Sequence, residues 1–328
     1  MNSNKFLVLI SVFILFSCSK PAKEEKITLE GAVFGTTYKI VYLNTSINYQ
    51  KSIDSLFLLM NTSLSTYIPS SDISRINSGD TTVVVDDLFL EVFKKSKRIH
   101  KETNGYFDPT VGNLVNAWGF GPKNEKRNLT ATEIQELMQF VGLDFVKIVD
   151  RQVFKKETKI YLDFNSIAKG FGIDVVARFL TSKKITNYLV EIGGEIRAKG
   201  TKNDNIPWLI KIVDPTNEGL LQKYKSINLS NKSMATSGNY RKYRFTENGQ
   251  KFVHTINPIT GQALESNLLS ASVIANLDCA DVDAYATAFM AMGLKKSKKF
   301  LQEHPLIDGV LLFIDDDGRL KEYSTINN

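Results

Sequence analysis

A change of hydrophobic period between Tyr161 and Asp174 constrains this chain more than any other stretch. Tyr161 and Asp163 alternate with Leu162 and Phe164 as in a strand. From Ile167 the apolar residues Ile173, Val176, Ala177 and Leu180 recur at three- and four-residue steps, as on a helix. Asp163, Ser166, Lys169, Gly170 and Gly172 crowd the junction. Outward-pointing helix-start amides, a lysine and glycines that allow close approach suit an anion. The same residues also fit an ordinary strand-to-helix turn with a surface lysine. The spacing matches neither a Walker loop nor a dinucleotide fingerprint.

Residues 1–17 read as a secretory signal peptide. Lys5 precedes an apolar run from Phe6 to Phe16, broken by Ser11, that is too short to span a bilayer. It ends in Leu15-Phe16-Ser17-Cys18, the pattern of a bacterial lipobox, so Cys18 is the expected lipidation site and residues 18–26 a tether. The protein is thus expected in the bacterial cell envelope, anchored to the inner or outer membrane and facing the periplasm. Cys279 is the only other cysteine, which excludes a disulfide framework. The formal charge of +6 does not call for nucleic acid, and 43% hydrophobic residues suffice for an ordinary core.

Strand patterns are expected over residues 27–43 with a break at Gly35-Thr36-Thr37, then at 145–149, 152–155, 160–164, 188–192, 195–199, 207–213, 240–245, 252–256, 269–275 and 309–314. Helices are expected over 49–65, briefly at 72–77, over 86–104, from Thr130 to Gly142 behind a Thr130/Glu133 capping box, after Ile167, and over 279–292. A hairpin turns at Asp316-Asp317-Gly318. The irregular mixture predicts an α+β fold over residues 27–328.

Several stretches carry chemistry-bearing residues. Met234 to Arg241 offers hydroxyls before a strand, either for phosphate or ribose oxygens or as a serine-rich turn. His254 stands where a strand ends, suited to proton transfer or to a structural role. Asp283 and Thr287, four residues apart, share a helix face among alanines and suit Mg²⁺, whereas Asp278 and Asp281 read as N-terminal caps. Gly193-Gly194-Glu195 marks a tight turn or a ligand against the backbone. Gly105-Tyr106-Phe107-Asp108-Pro109-Thr110-Val111-Gly112 spends two aromatics in a turn-rich loop.

Together with Phe34-Gly35-Thr36-Thr37-Tyr38, Leu64-Ser65-Thr66-Tyr67 and Trp118-Gly119-Phe120-Gly121, these motifs run in an order that resembles the FAD:protein FMN transferase (ApbE, flavin-trafficking lipoprotein) family. The resemblance implies mixed sheets with flanking helices, ApbE-like and T-fold-related, forming one catalytic unit. It implies Mg²⁺-dependent transfer of FMN from FAD to a Thr or Ser hydroxyl of an exported or membrane redox protein, with release of AMP. It implies flavin or FAD contacts at Phe34, Tyr67, Tyr106, Phe107, Asp108, Asp163, Lys169 and Ile256, and metal ligands at Ser166, Asp283 and Thr287. His254 and Asp283 are the expected catalytic residues, with Lys169 and Arg241 on phosphate charge. Phe34 replaces a methionine usual in the family, and Asn165-Ser166 replace smaller residues. An FAD pyrophosphatase giving FMN and AMP, or a lipid-anchored flavin carrier, are the alternatives.

Overall fold

The computed structural model describes residues 25–122, 128–202, 205–216, 222–239, 243–245, 251–263 and 266–326. Two N-terminal strands, β1 (Lys26–Val33) and β2 (Thr36–Leu43), precede α1 (Gln50–Leu64), α2 (Asp72–Asn77), α3 (Asp87–Glu102), α4 (Gly112–Ala117) and α5 (Ala131–Met138). A small hairpin, β3 (Val146–Val149) and β4 (Gln152–Lys155), leads to α6 (Ala168–Ser182). Then come β5 (Tyr188–Ile192), β6 (Glu195–Lys199), β7 (Trp208–Val213), β8 (Lys223–Leu229), β9 (Lys232–Gly238), β10 (Tyr243–Phe245) and β11 (Lys251–Val253). The chain closes with β12 (Leu268–Ala275), α7 (Cys279–Glu303), β13 (Ile307–Ile314) and β14 (Leu320–Ser324). The α+β expectation holds.

Eight strands form one sheet in the order β1-β2-β5-β6-β9-β12-β13-β14. Every neighbouring pair is antiparallel. Side-chain alternation divides each central strand between two apolar layers. Ile40, Tyr42, Ala235, Val273 and Leu311 face the helices. Their neighbours Val41, Leu43, Met234, Ile274 and Leu312 face the β7–β8 pair through Trp208, Ile210 and Leu229. A sheet covered on both faces reads as continuous apolar runs, which is why β13 and β12 were recognisable.

Local chemistry sets the helix ends. Asp86 caps α3 through the Phe89 amide at 2.8 Å, and Thr130 and Glu133 complete the expected capping box on α5. Other expectations need correction. Residues 160–164 are not a strand; Tyr161 makes a single parallel bridge to Val111 while Leu162 and Phe164 are buried. Met234 to Gly238 is not a loop but most of β9, a central strand. The helix after Thr130 ends at Met138, short of Gly142. β11 stops at Val253, and β8 was not anticipated. The last helix runs on to Glu303, broken at Gly293, whose φ of 73° suits glycine. Residues 240–242, including Arg241, and residues 1–24, including Cys18, lie outside the described residues.

Candidate active site

The first turns of α6 and α7 meet where β6 begins and β9 ends. Gly170 makes the meeting possible: a Cβ there would stand 2.4 Å from the Cys279 carbonyl oxygen and 2.8 Å from Ala280 Cα. With no side chain between the helices, the Gly170 amide donates to Asp283 Oδ2 at 3.1 Å. That amide is one of the unpaired donors at a helix start, so the carboxylate serves it as an N-terminal partner.

Around this junction lies a cavity of about 250 Å³. Its polar wall comes from Asp163, Asn165, Ser166 and Lys169 before and on α6, Glu195 on β6, Thr236 and Ser237 on β9, and Asp283 and Thr287 on α7. Tyr67, Tyr106, Phe107, Asp108, Val115, Phe120, His254 and Ile256 complete it. Cys18 and Arg241 aside, which lie outside the described residues, the structure therefore brings together all but one of the expected site residues. Phe34 is the exception: its ring packs edge-on to Phe57, 5.6 Å between centroids, and lies over Gly172 rather than on the cavity wall. It adopts a positive φ of 50°, unusual for an aromatic.

Lys169 is the hub of the polar wall. Its Nζ lies 3.2 Å from Glu195 Oε1 and 3.8 Å from Asp283 Oδ1. Asp283 is buried, and desolvation lifts its carboxyl to about 7; Lys169 and the Gly170 amide oppose the shift, while Glu195 adds to it. Glu195 is also buried, and its Oε2 has no hydrogen-bond partner. Among the described residues, two buried carboxylates thus share the Lys169 ammonium. Thr287, one turn beyond Asp283, lies 3.2 Å from the Ser237 hydroxyl.

This donor set fits a hard divalent cation. Asp283, Thr287 and Ser166 offer oxygens to the same cavity. Among the described residues no three His, Cys, Asp or Glu side chains cluster as ligands. Mg²⁺ is commonly held by one or two carboxylates, waters and substrate phosphates, which matches a partial set.

Other expected residues have mixed duties. The Asp108 carboxylate faces inward, accepting from the Thr110 amide at 2.8 Å and the Leu143 amide at 3.1 Å, with His100 Nδ1 3.4 Å away. It braces the aromatic loop, and burial raises its pKa. Asp163 accepts from the Asn165 amide at 2.8 Å, closing the turn before α6. Asp278 occupies the N-cap position of α7 but makes no side-chain cap bond. Instead it pairs with Lys95 and Arg197 at 2.7 Å each, and Asp281 pairs with Arg98 at 2.7 Å. The capping expectation for these two fails: their carboxylates pair with basic side chains on neighbouring elements, and the first α7 amides donate to Asp174 on α6. Glu195 was missed as a side chain; its only signal was its place after two glycines at a strand start.

Comparison with known proteins gives the site its context. Residues 34–311 match the model of the ApbE family. The chain belongs to the ApbE family. A relative from Vibrio cholerae serotype O1 named FAD:protein FMN transferase is 35% identical over 331 residues, covering 98% of this chain and 97% of its own. One of that name from Haemophilus influenzae is 36% identical, covering 94% and 93%. The solved flavin transferase ApbE from V. cholerae superposes with a TM-score of 0.81 at 34% identity, covering 92% of this chain and 97% of its own. The apo form of the Pseudomonas stutzeri flavinyl transferase ApbE gives 0.82 at 28%, covering 92% and 95%. As an ApbE-family member this chain is an enzyme of the transferase class.

Proposed function

We propose that this chain transfers FMN from FAD to a Ser or Thr hydroxyl of an exported or membrane-bound redox protein, releasing AMP, with Mg²⁺ at the site. The observation that carries the reading is the pair of buried carboxylates, Asp283 and Glu195, sharing Lys169 in a cavity that also holds Thr287 and His254. Asp283, Thr287 and Ser166 are the residues that would hold the metal, which when bound supplies charge neutralisation at the pyrophosphate. Lys169 is set to neutralise a phosphate oxygen. The acceptor hydroxyl oxygen forms a bond to the FMN-side phosphorus as the P–O bond to AMP breaks, and AMP leaves with the electron pair. His254 takes the hydroxyl proton, and Asp283 assists as second catalytic residue. Tyr67, Tyr106, Phe107 and Ile256 form an aromatic and apolar wall suited to the isoalloxazine, with Asp108 bracing it and Asp163 closing the turn beside it. Residues 27–328 form the catalytic unit, tethered through residues 18–26 to a lipidated Cys18 in the cell envelope after removal of residues 1–17.

The test is intact-mass measurement of an acceptor domain incubated with the protein, FAD and Mg²⁺, with and without EDTA. A metal-dependent gain of one FMN with AMP release supports the transferase. Free FMN and AMP with an unmodified acceptor point to a pyrophosphatase. Bound, uncleaved FAD beside an acceptor of proven competence leaves a carrier.

A further inference from the structure

The start of α7 is capped from another helix. Its first amides have no partner within α7, and Asp278 at the N-cap position is engaged elsewhere. Asp174, fully buried on α6, accepts from the Cys279 amide through Oδ1 at 2.8 Å and from the Ala280 amide through Oδ2 at 2.9 Å. One turn earlier on α6, the Gly170 amide donates to Asp283, one turn later on α7. The two links are reciprocal: an α6 carboxylate holds α7 amides, and an α7 carboxylate holds an α6 amide. Backbone contact at Gly170 fills the space between them. A slip of one residue along the axis, about 1.5 Å, breaks both links together.

Arg197 extends this clamp. Its Nη1 bonds to Asp174 and, at 2.7 Å, to Asp278. Arg197 lies two residues after Glu195 on β6, so the strand bearing the second buried carboxylate is tied to the same point. A cap within one segment would set only where α7 starts. A cap from α6 sets where α7 starts relative to Lys169.

We propose that Asp174 is a positioning residue for the reaction: by capping α7 from α6 it sets the register in which Asp283 and Thr287 face Lys169 and Glu195. This rests on the proposed metal-dependent FMN transfer. In Asp174→Asn one carboxylate oxygen becomes an NH₂ group, which cannot accept from a backbone amide. The probe is MgCl₂ titrated calorimetrically into the full-length protein with FAD and no acceptor, and FAD binding in EDTA followed by flavin fluorescence. Val176→Ala, which deletes buried volume two residues along α6, serves as a destabilised control with the clamp intact.

Asp174→Asn is expected to weaken Mg²⁺ binding about 10–100-fold, as loss of a ligand-orienting partner does, while FAD affinity in EDTA changes by less than about threefold. Val176→Ala should lower the melting temperature without changing Mg²⁺ affinity. Wild-type Mg²⁺ affinity in Asp174→Asn, or equal weakening in Val176→Ala, overturns the proposal. Should the wild-type protein bind no Mg²⁺, the functional reading fails first, and amide exchange across Asp283–Thr287 judges Asp174 alone. Faster exchange in Asp174→Asn than in Val176→Ala then supports the register role, and equal exchange overturns it.

Discussion

Replacing Gly170 by alanine places a methyl carbon 2.4 Å from the Cys279 carbonyl oxygen and 2.8 Å from Ala280 Cα. Non-bonded carbons need about 3.5 Å or more, so the helices must separate by roughly 1 Å. Both obstacles are backbone, and no side-chain rotation relieves them. The 3.1 Å bond from the Gly170 amide to Asp283 then stretches to about 4 Å and is lost. Overpacking costs about 1–3 kcal/mol. A lost hydrogen bond to a charged group costs about 1.5–3 kcal/mol. The better helix propensity of alanine returns about 1 kcal/mol. The net loss is about 2–5 kcal/mol, or a fall of roughly 3–8 °C in melting temperature for a chain of this size. A 1 Å displacement of Asp283 should also lower FMN transfer about 100-fold. Thermal unfolding by circular dichroism and acceptor mass measurement read the two effects. Gly172→Ala is the comparison, since its Cβ meets side-chain ends, Phe34 Cε2 at 2.7 Å and Met60 Cε at 3.3 Å, which can move. A Gly170→Ala protein that melts within about 2 °C of wild type and transfers FMN normally would refute the reasoning.

Lys169→Met removes the ammonium shared by Asp283 and Glu195, and initial-rate assays should show transfer reduced about 100-fold or more. The Asp283 carboxyl, held at about 7, makes Mg²⁺ binding pH-dependent, because the proton competes with the metal. Half-saturating Mg²⁺ should rise about tenfold per pH unit below about 7 and level off above it; a flat profile would discount Asp283 as a ligand. Because that folded value lies above the ordinary 3.8, the stability associated with protonated Asp283 is full below about pH 4 and lost as pH rises through about 7. The metal-free protein should therefore melt lower at pH 8 than at pH 6, and Asp283→Asn should narrow the gap. His254→Ala should lower transfer about 10²–10⁴-fold with FAD binding retained, and near-normal transfer across the pH range would remove His254 as the base.

Much of the fold was readable because its signals are local. The alternation in residues 27–43 marked β1 and β2, the Asp86 cap marked α3, and the Thr130/Glu133 box marked the start of α5. Where the reading failed, tertiary contacts overrode local preference. Met234-Ala235-Thr236-Ser237-Gly238 has the composition of a turn, yet it pairs along its whole length with β12 and through Met234 with β6. Leu162 and Phe164 alternate like strand residues and are buried, yet they belong to no strand, and Phe164 packs edge-on against Phe89 of α3.

The site divides along the same line. Spacing along single elements is enough to put Asp283 and Thr287 on one helix face, Lys169 at a helix start, and the hydroxyls and the histidine in their order. Packing alone makes Glu195 share Lys169 with Asp283, has Asp174 rather than Asp278 cap α7, and lays Phe34 against Phe57. Each of those contacts joins residues from different elements, so no period or cap motif records it. Burial then did what no linear pattern can: by excluding water around the Asp283 and Glu195 carboxylates beside Lys169, it lifted the Asp283 carboxyl to about 7.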